Sequence, residues 1–277
     1  MRIVNLENKD RKIVQEAGCF KVLEYIRDAS VSPDNAATEY FMSEMGVRRR
    51  QLIVEMDGAR TIVTQAGSMQ WFAGDVRAAT GIKGVGGLVG NLVKGAVTGE
   101  SAVKPEYEGT GYLALEPTYK FIILVDISEW GNGMTIEDGM FLACEGTVKN
   151  KVVGRSTISS AVLGGEGLFN LSLYGSGIAA LESNVPGNEL IEIELNNDEL
   201  KIDGNMAMCW TSDLKLTVER TTKTLIGSAM SGEGLVNVYR GTGRVLMSPV
   251  ALTSTLYGST NNLTSDGRKT FIRNTNK

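Results

Sequence analysis

The chain has no histidine among its 277 residues. That absence removes the side chain that titrates nearest neutrality, the Ser-His-Asp and Cys-His relays, and the commonest transition-metal ligand. Cysteine is scarce: three, widely separated and without a Cys-x-x-Cys pair. That excludes a disulfide framework or zinc knuckle and points to a reducing compartment. No apolar run is long enough to cross a bilayer. The start, with Glu7 and Asp10, has neither a secretory core nor the acid-poor composition of a transit peptide. The expected location is cytoplasmic. Neither charge sign dominates, with 28 basic against 32 acidic residues and a net charge of -4. Phosphate binding through counterion release needs clustered Lys and Arg, so generic nucleic-acid binding is disfavoured. Proline is rare at 5 while glycine reaches 33, a balance that fits tight turns and bulges in sheets.

What is present is a motif written three times. Tyr107-Glu108-Gly109-Thr110-Gly111, Tyr174-Gly175-Ser176-Gly177 and Tyr239-Arg240-Gly241-Thr242-Gly243 each place a Gly-x-Gly between an aromatic residue and an apolar run. The first glycines recur at intervals of 66 residues, and each copy is preceded by Gly-Glu: Gly99-Glu100, Gly165-Glu166 and Gly232-Glu233. Equal spacing of matched motifs marks a threefold internal duplication. Each unit has a first half ending in an apolar run after Gly67, Gly139 or Gly204, and a second half carrying Gly-Glu and Gly-x-Gly.

Taken in order, residues 1–49 form an N-terminal extension with one or two edge strands around Phe20–Ile26 and a short amphipathic helix near 34–45. Ser32-Pro33-Asp34-Asn35 starts that helix, Gly46 ends it, and Ala37, Tyr40, Phe41 and Met45 share a face. A three-repeat β domain follows over 50–249, with units of about 50–117, 119–183 and 188–249. Leu52, Val54 and Met56 alternate before a turn at Asp57-Gly58, and Phe121–Val125 reads as an apolar strand. Helical spacing returns within 84–97, with a face that packs on the sheets or meets a membrane surface or partner. Residues 250–277 form a polar tail.

These residues resemble the altered inheritance of mitochondria protein 24 family. Gly67-Ser68-Met69, Thr98-Gly99-Glu100-Ser101, Gly165-Glu166-Gly167-Leu168-Phe169 and Tyr174-Gly175-Ser176-Gly177 carry the likeness by order and spacing over about 50–249. The resemblance implies a fold like that of the tryptophan RNA-binding attenuation protein: an all-β sandwich or barrel of three internal pseudo-repeats, with one or two short helices and further oligomerisation. It also implies uncharacterised bacterial relatives and fungal ones that organise the mitochondrial inner membrane. Nothing here matches the basic residues by which the attenuation protein grips RNA.

The candidate chemistry is thin. Gly84–Gly90 looks phosphate-like, but Val89 stands where a dinucleotide fingerprint needs its third glycine, and no Gly-Lys-Ser/Thr follows. No cofactor or metal is expected. Glu100, Glu166 and Glu233 either converge on a pseudo-threefold axis as a hard-cation site or accept backbone N–H bonds in three turns, the simpler reading. The Gly-x-Gly pairs read as bends needing positive φ or close backbone approach. Cys144 and Cys209 lie five residues after matched glycines, as does Phe72, which makes all three core positions. Trp71 and Trp210 are expected in the core and Trp130, beside Gly131-Asn132-Gly133, at the surface. Arg48-Arg49-Arg50 reads as surface charge, with RNA or anionic lipid as the alternative. Tyr107, Tyr174 and Tyr239 share one setting and a structural role.

The function read from these features is a non-catalytic, self-assembling interaction or scaffold protein, a homo-oligomer that is a trimer or a multiple of one. An RNA- or small-ligand-binding module and a peripheral membrane-associated organising protein are the alternatives.

Overall fold

Residues 1–79, 104–154, 169–220 and 235–250 are described by the computed structural model, in which the period-two runs become strands of two hydrogen-bonded sheets. The N-terminal extension forms a hairpin, β1 (Arg11–Ala17) and β2 (Phe20–Tyr25), closed at Gly18. A 3-10 turn at Pro33–Asn35 leads into α1 (Ala36–Glu44), the short helix read from the sequence. None of its residues is buried; Tyr40, Phe41 and nearby Met45 face outward.

The first repeat comprises β3 (Arg50–Asp57), β4 (Ile62–Thr64), β5 (Met69–Ala79) and β6 (Glu106–Leu115). The second runs through β7 (Phe121–Asp126), β8 (Met134–Ile136), β9 (Phe141–Glu145), β10 (Val148–Gly154), β11 (Phe169–Gly175) and β12 (Ile178–Ser183). The third holds β13 (Ile191–Asp203), β14 (Ala207–Thr211), β15 (Lys215–Arg220) and β16 (Leu235–Met247). The pairings show one plan used three times: three long strands, each bent or broken at mid-length, so that its halves serve different sheet sectors. The broken pair β11–β12 thus corresponds to the continuous strands β6 and β16.

Two sectors are complete. One runs β7-β12-β9-β4-β6-β5 and joins repeat one to repeat two; the other runs β13-β16-β14-β8-β11-β10 and joins repeat two to repeat three. The N-terminal hairpin extends β3, with Phe20 opposite Val54. Inward residues of this array form the core. Leu52, Val54 and Met56 pack with Phe20, Leu113 and Leu142. Met134, Ile136, Phe141, Cys144 and Leu173 pack in a second cluster, and Trp210, Tyr239 and Val245 in a third. Burying such side chains contributes about 1.5–3 kcal/mol each, which the cost of ordering the chain largely offsets.

Three sequence expectations are corrected here. Trp130 is buried rather than exposed. Asp126 accepts the Ser128 N–H at 2.9 Å and starts a 3-10 turn over Ile127–Trp130, which rolls Ile127 and Trp130 into the core. The Arg244 guanidinium then covers the ring at 4.1 Å from its centroid. Tyr174 does not share the setting of Tyr107 and Tyr239: it stands one residue before its glycine where they stand two, and successive strand residues face opposite ways. Leu173 takes the core position and Tyr174 is exposed. The third concerns Arg50, which is buried, against the reading of the arginine run as surface charge; it pairs with Glu24 at 2.7 Å and lies over the Phe121 ring at 3.8 Å. Arg48 also binds Glu24, and Arg49 binds Asp28, so the run pins the hairpin and helix to β3.

Candidate functional site

The six Gly-x-Gly glycines sit at strand crossings, all with positive φ, from +102° at Gly175 to +157° at Gly243. Gly109 and Gly111 face Val76 and Gly74 on β5, and a Cβ at either would lie 1.9 or 2.0 Å from a carbonyl oxygen of Asp75 or Ala73. Gly177 and Gly243 are also crowded, by Glu145 and Thr147 and by Thr211, whereas Gly241 has its nearest neighbour at 3.5 Å. Gly99, Glu100, Gly165, Glu166, Gly232 and Glu233 lie outside the described residues, as do the helix read within 84–97 and the tail beyond 250.

The bends bring the repeats together at junctions of one design. Between repeats one and two, Val63 stands opposite Cys144 and Thr64 opposite Ala143. Two backbone bonds bracket the contact, Gln65 N–H to the Leu142 carbonyl at 2.8 Å and Gly146 N–H to the Thr61 carbonyl at 2.8 Å. Between repeats two and three, Thr135 faces Trp210 and Ile136 faces Cys209, bracketed by Glu137 N–H to Met208 O at 2.9 Å and Ser212 N–H to Gly133 O at 2.9 Å.

The ladders also fix which residues are equivalent. Each outgoing strand carries a bulge near its start, at Gln70, Leu142 or Met208. Counting from the bulges, Phe72 matches Cys144 and Trp210, and Trp71 matches Ala143 and Cys209. The sequence alignment of Phe72, Cys144 and Cys209 is therefore one residue out in the third repeat, where the chain spends an extra residue between Gly204 and Ala207. Paired aromatics agree: Phe72 lies 6.2 Å from Tyr107, as Trp210 lies 5.2 Å from Tyr239.

By this equivalence a third junction would join β13 to β5. Among the described residues those two strands do not pair: β13 is bonded only to β16, and β5 only to β6. The consequence is seen in burial. Cys144 and Trp210 are 0% and 2% exposed, but Phe72 is 41% exposed, against the expectation of a core position. Met69 is 37% exposed where its counterparts Phe141 and Ala207 are both at 3%. Trp71 is only partly buried, packing with Leu23, Ile53 and Ala114. This open seam is the candidate functional site. The sequence reading missed it, although the alternation Asp198-Glu199-Leu200-Lys201-Ile202-Asp203, charged on its outward positions, is the pattern of a protected edge strand.

Titratable groups elsewhere serve packing. The Glu145 carboxylate accepts the Ile178 N–H at 3.0 Å, approaches Arg60 at 3.5 Å and takes the Cys19 thiol at 3.8 Å, tying the hairpin turn to the first junction. Burial pushes the thiols of Cys19, Cys144 and Cys209 up to about 12, so all three are held as neutral thiols. Burial also lowers the Arg50 pKa, opposed by the carboxylate of Glu24. No three acidic or thiol side chains gather as a metal site among the described residues. A cleft of about 450 Å³ between residues 1–7 and the outer sheet face is lined by Ile13, Lys21, Ile53 and Tyr112, with Lys21 already paired to Glu55 at 3.0 Å. No helix among the described residues is long and apolar enough to cross a membrane.

A protein-family model described as Mitochondrial biogenesis AIM24 matches residues 44–250. An uncharacterized protein of Streptococcus pyogenes serotype M6 is 28% identical over 207 residues, covering 72% of this chain and 81% of that protein. A crystal structure of a Streptococcus pyogenes protein aligns at a TM-score of 0.54 with 26% identity, over 77% of this chain and 93% of the other.

Proposed function

Because the chain belongs to the Mitochondrial biogenesis AIM24 family, we propose that it serves as a non-catalytic interaction or scaffold protein that acts by self-assembly. One observation carries this reading: among the described residues, two strand edges of matched design stand unpaired in a fold that pairs their counterparts twice. Exposed edges with apolar side chains beside them recruit further strands unless protected, and assembly is the soluble outcome. The lack of histidine and the neutral, buried thiols support the non-catalytic part of the reading. Native mass spectrometry of gently purified protein tests both parts. A clean multiple of 29.8 kDa is the expected result. A single-chain mass at all concentrations would end the assembly reading, and a retained nucleotide or other small mass would put ligand binding in its place.

One observation favours a second reading, attachment to a membrane surface: Tyr40 and Phe41 of α1 and the adjoining Met45 are exposed, with no cover among the described residues. Glu39 and Glu44 on the same helix oppose anionic lipid. Flotation with neutral liposomes decides it: protein left in the bottom fraction removes this reading.

A further inference from the structure

We propose that the open seam receives the matching edge of a second copy of this chain, Met69–Ala73 of β5 in one copy lying antiparallel to Leu200–Asp203 of β13 in the other. This rests on the assembly reading and gives it a surface, a partner and a register.

The register follows from the two closed junctions. Ile62, Met134 and Leu200 are equivalent, because they stand opposite Tyr107, Leu173 and Tyr239, each two residues before its Gly-x-Gly. Val63 and Thr135 face Cys144 and Trp210, so Lys201 faces Phe72; Thr64 and Ile136 face Ala143 and Cys209, so Ile202 faces Trp71. The bracketing bonds transfer in the same way. Gln65 and Glu137 donate to Leu142 and Met208, so Asp203 N–H donates to the Gln70 carbonyl. Gly146 and Ser212 donate to Thr61 and Gly133, so Gly74 N–H donates to the Glu199 carbonyl.

Three features select a second copy as occupant. Both edges belong to this chain and their complementarity is already realised twice within it, at positions homologous residue by residue. Among the described residues the chain leaves them apart while closing the other two junctions, so the partner for each edge is the opposite edge of the seam on another molecule. The side chains also complement one another: Lys201, now held by Glu199 at 2.9 Å, lies opposite the exposed Phe72 ring, where its stem covers the ring and its ammonium meets the π face. A lysine on an edge disfavours indiscriminate pairing, which fits one specific partner.

Two single-cysteine variants, Phe72→Cys and Lys201→Cys, test the register, since the native thiols are buried and unreactive. Mixed and mildly oxidised, they are expected to give a disulfide-linked two-chain band on a non-reducing gel, while either alone gives little. Replacing Lys201→Cys by Leu200→Cys moves the thiol to the opposite sheet face and is expected to abolish the band. Phe72→Asp, at an exposed position that leaves the protomer folded, is expected to raise the assembly midpoint concentration at least about tenfold, the equivalent of 1.4 kcal/mol. No mixed band from a protein that is still a multimer by native mass spectrometry would overturn the seam and leave the assembly reading standing. A single-chain mass for the unmodified protein would overturn both. A double variant that bonds only within one chain would show that the chain closes its own seam, which also overturns the proposal.

Discussion

At Gly109 an added methyl group would meet the Asp75 carbonyl oxygen at 1.9 Å on a backbone already at φ +114°, and neither atom belongs to a flexible side chain. At Gly241, the same motif position in the third repeat, φ is +129° but the nearest neighbour is the Leu214 side chain at 3.5 Å. Gly109→Ala is therefore expected to lose about 3 kcal/mol or more, and Gly241→Ala only the conformational part, about 1–2 kcal/mol. Urea denaturation reads both, and equal losses would show that clash has no part in the motif. The thiols give a second prediction at this scale. With Cys19, Cys144 and Cys209 buried and pushed up to about 12, a thiol reagent near pH 8 should find no reactive equivalent in the folded protein and all three after denaturation. The glycines were legible in the sequence because backbone handedness is a local property of a residue type. Tyr174, Phe72 and Trp130 were not. A single-residue phase shift decides which face Tyr174 takes, the company of Phe72 depends on a junction far along the chain, and Trp130 is rolled inward by a carboxylate four residues before it.

Elements are held to one another by a few charged side chains. Arg50 on β3 binds Glu24 of β2, donates to the Gly46 and Arg48 carbonyls at 3.2 and 3.1 Å, and covers Phe121 at the start of β7. Arg50→Ala leaves the partly buried Glu24 with Arg48 as its remaining ion-pair partner and empties the buried site of the guanidinium, and should cost about 3 kcal/mol, read as a drop in the denaturation midpoint. Arg50→Lys should recover less than half of that loss, since an ammonium cannot reach the carboxylate and both carbonyls while lying flat on the ring. On the third repeat Arg240 of β16 joins Glu219 of β15 to Glu199 of β13. The Arg240 guanidinium, with the Thr217 hydroxyl, holds the Glu219 carboxyl down to about 2. A carboxyl depressed on folding adds stability that is complete above its unfolded pKa, about 4.3, and is lost as pH falls toward the folded value. Glu219→Gln should thus have the lower urea midpoint at about pH 6 and converge with the parent protein at about pH 2. A gap that stays constant across that range would separate the effect from ionisation. The strands and the helix near 34–45 were readable because period and capping chemistry are local; the links made by Arg50 and Arg240 join residues distant in sequence and left no such trace.

For the whole molecule, equal spacing of the motifs was enough to announce three units, because duplication preserves intervals. Whether the third junction closes is a different kind of question. It depends on the summed twist of strands from all three repeats; the charges along Asp198–Asp203 mark a strand edge but carry no information on which strand that edge meets. If copies complete one another there, folding and association are linked, and binding that favours the folded state raises apparent stability by mass action. The melting temperature should then rise by about 1–3 °C for each tenfold increase in protein concentration, given a chain of this size. Phe72→Asp should flatten that dependence while keeping the melting temperature of the dilute parent protein, because Phe72 is exposed in the single chain and supports little of its core. A slope that survives the substitution would place the self-association on another surface, and a variant that melts lower even at high dilution would mean that Phe72 acts within the chain.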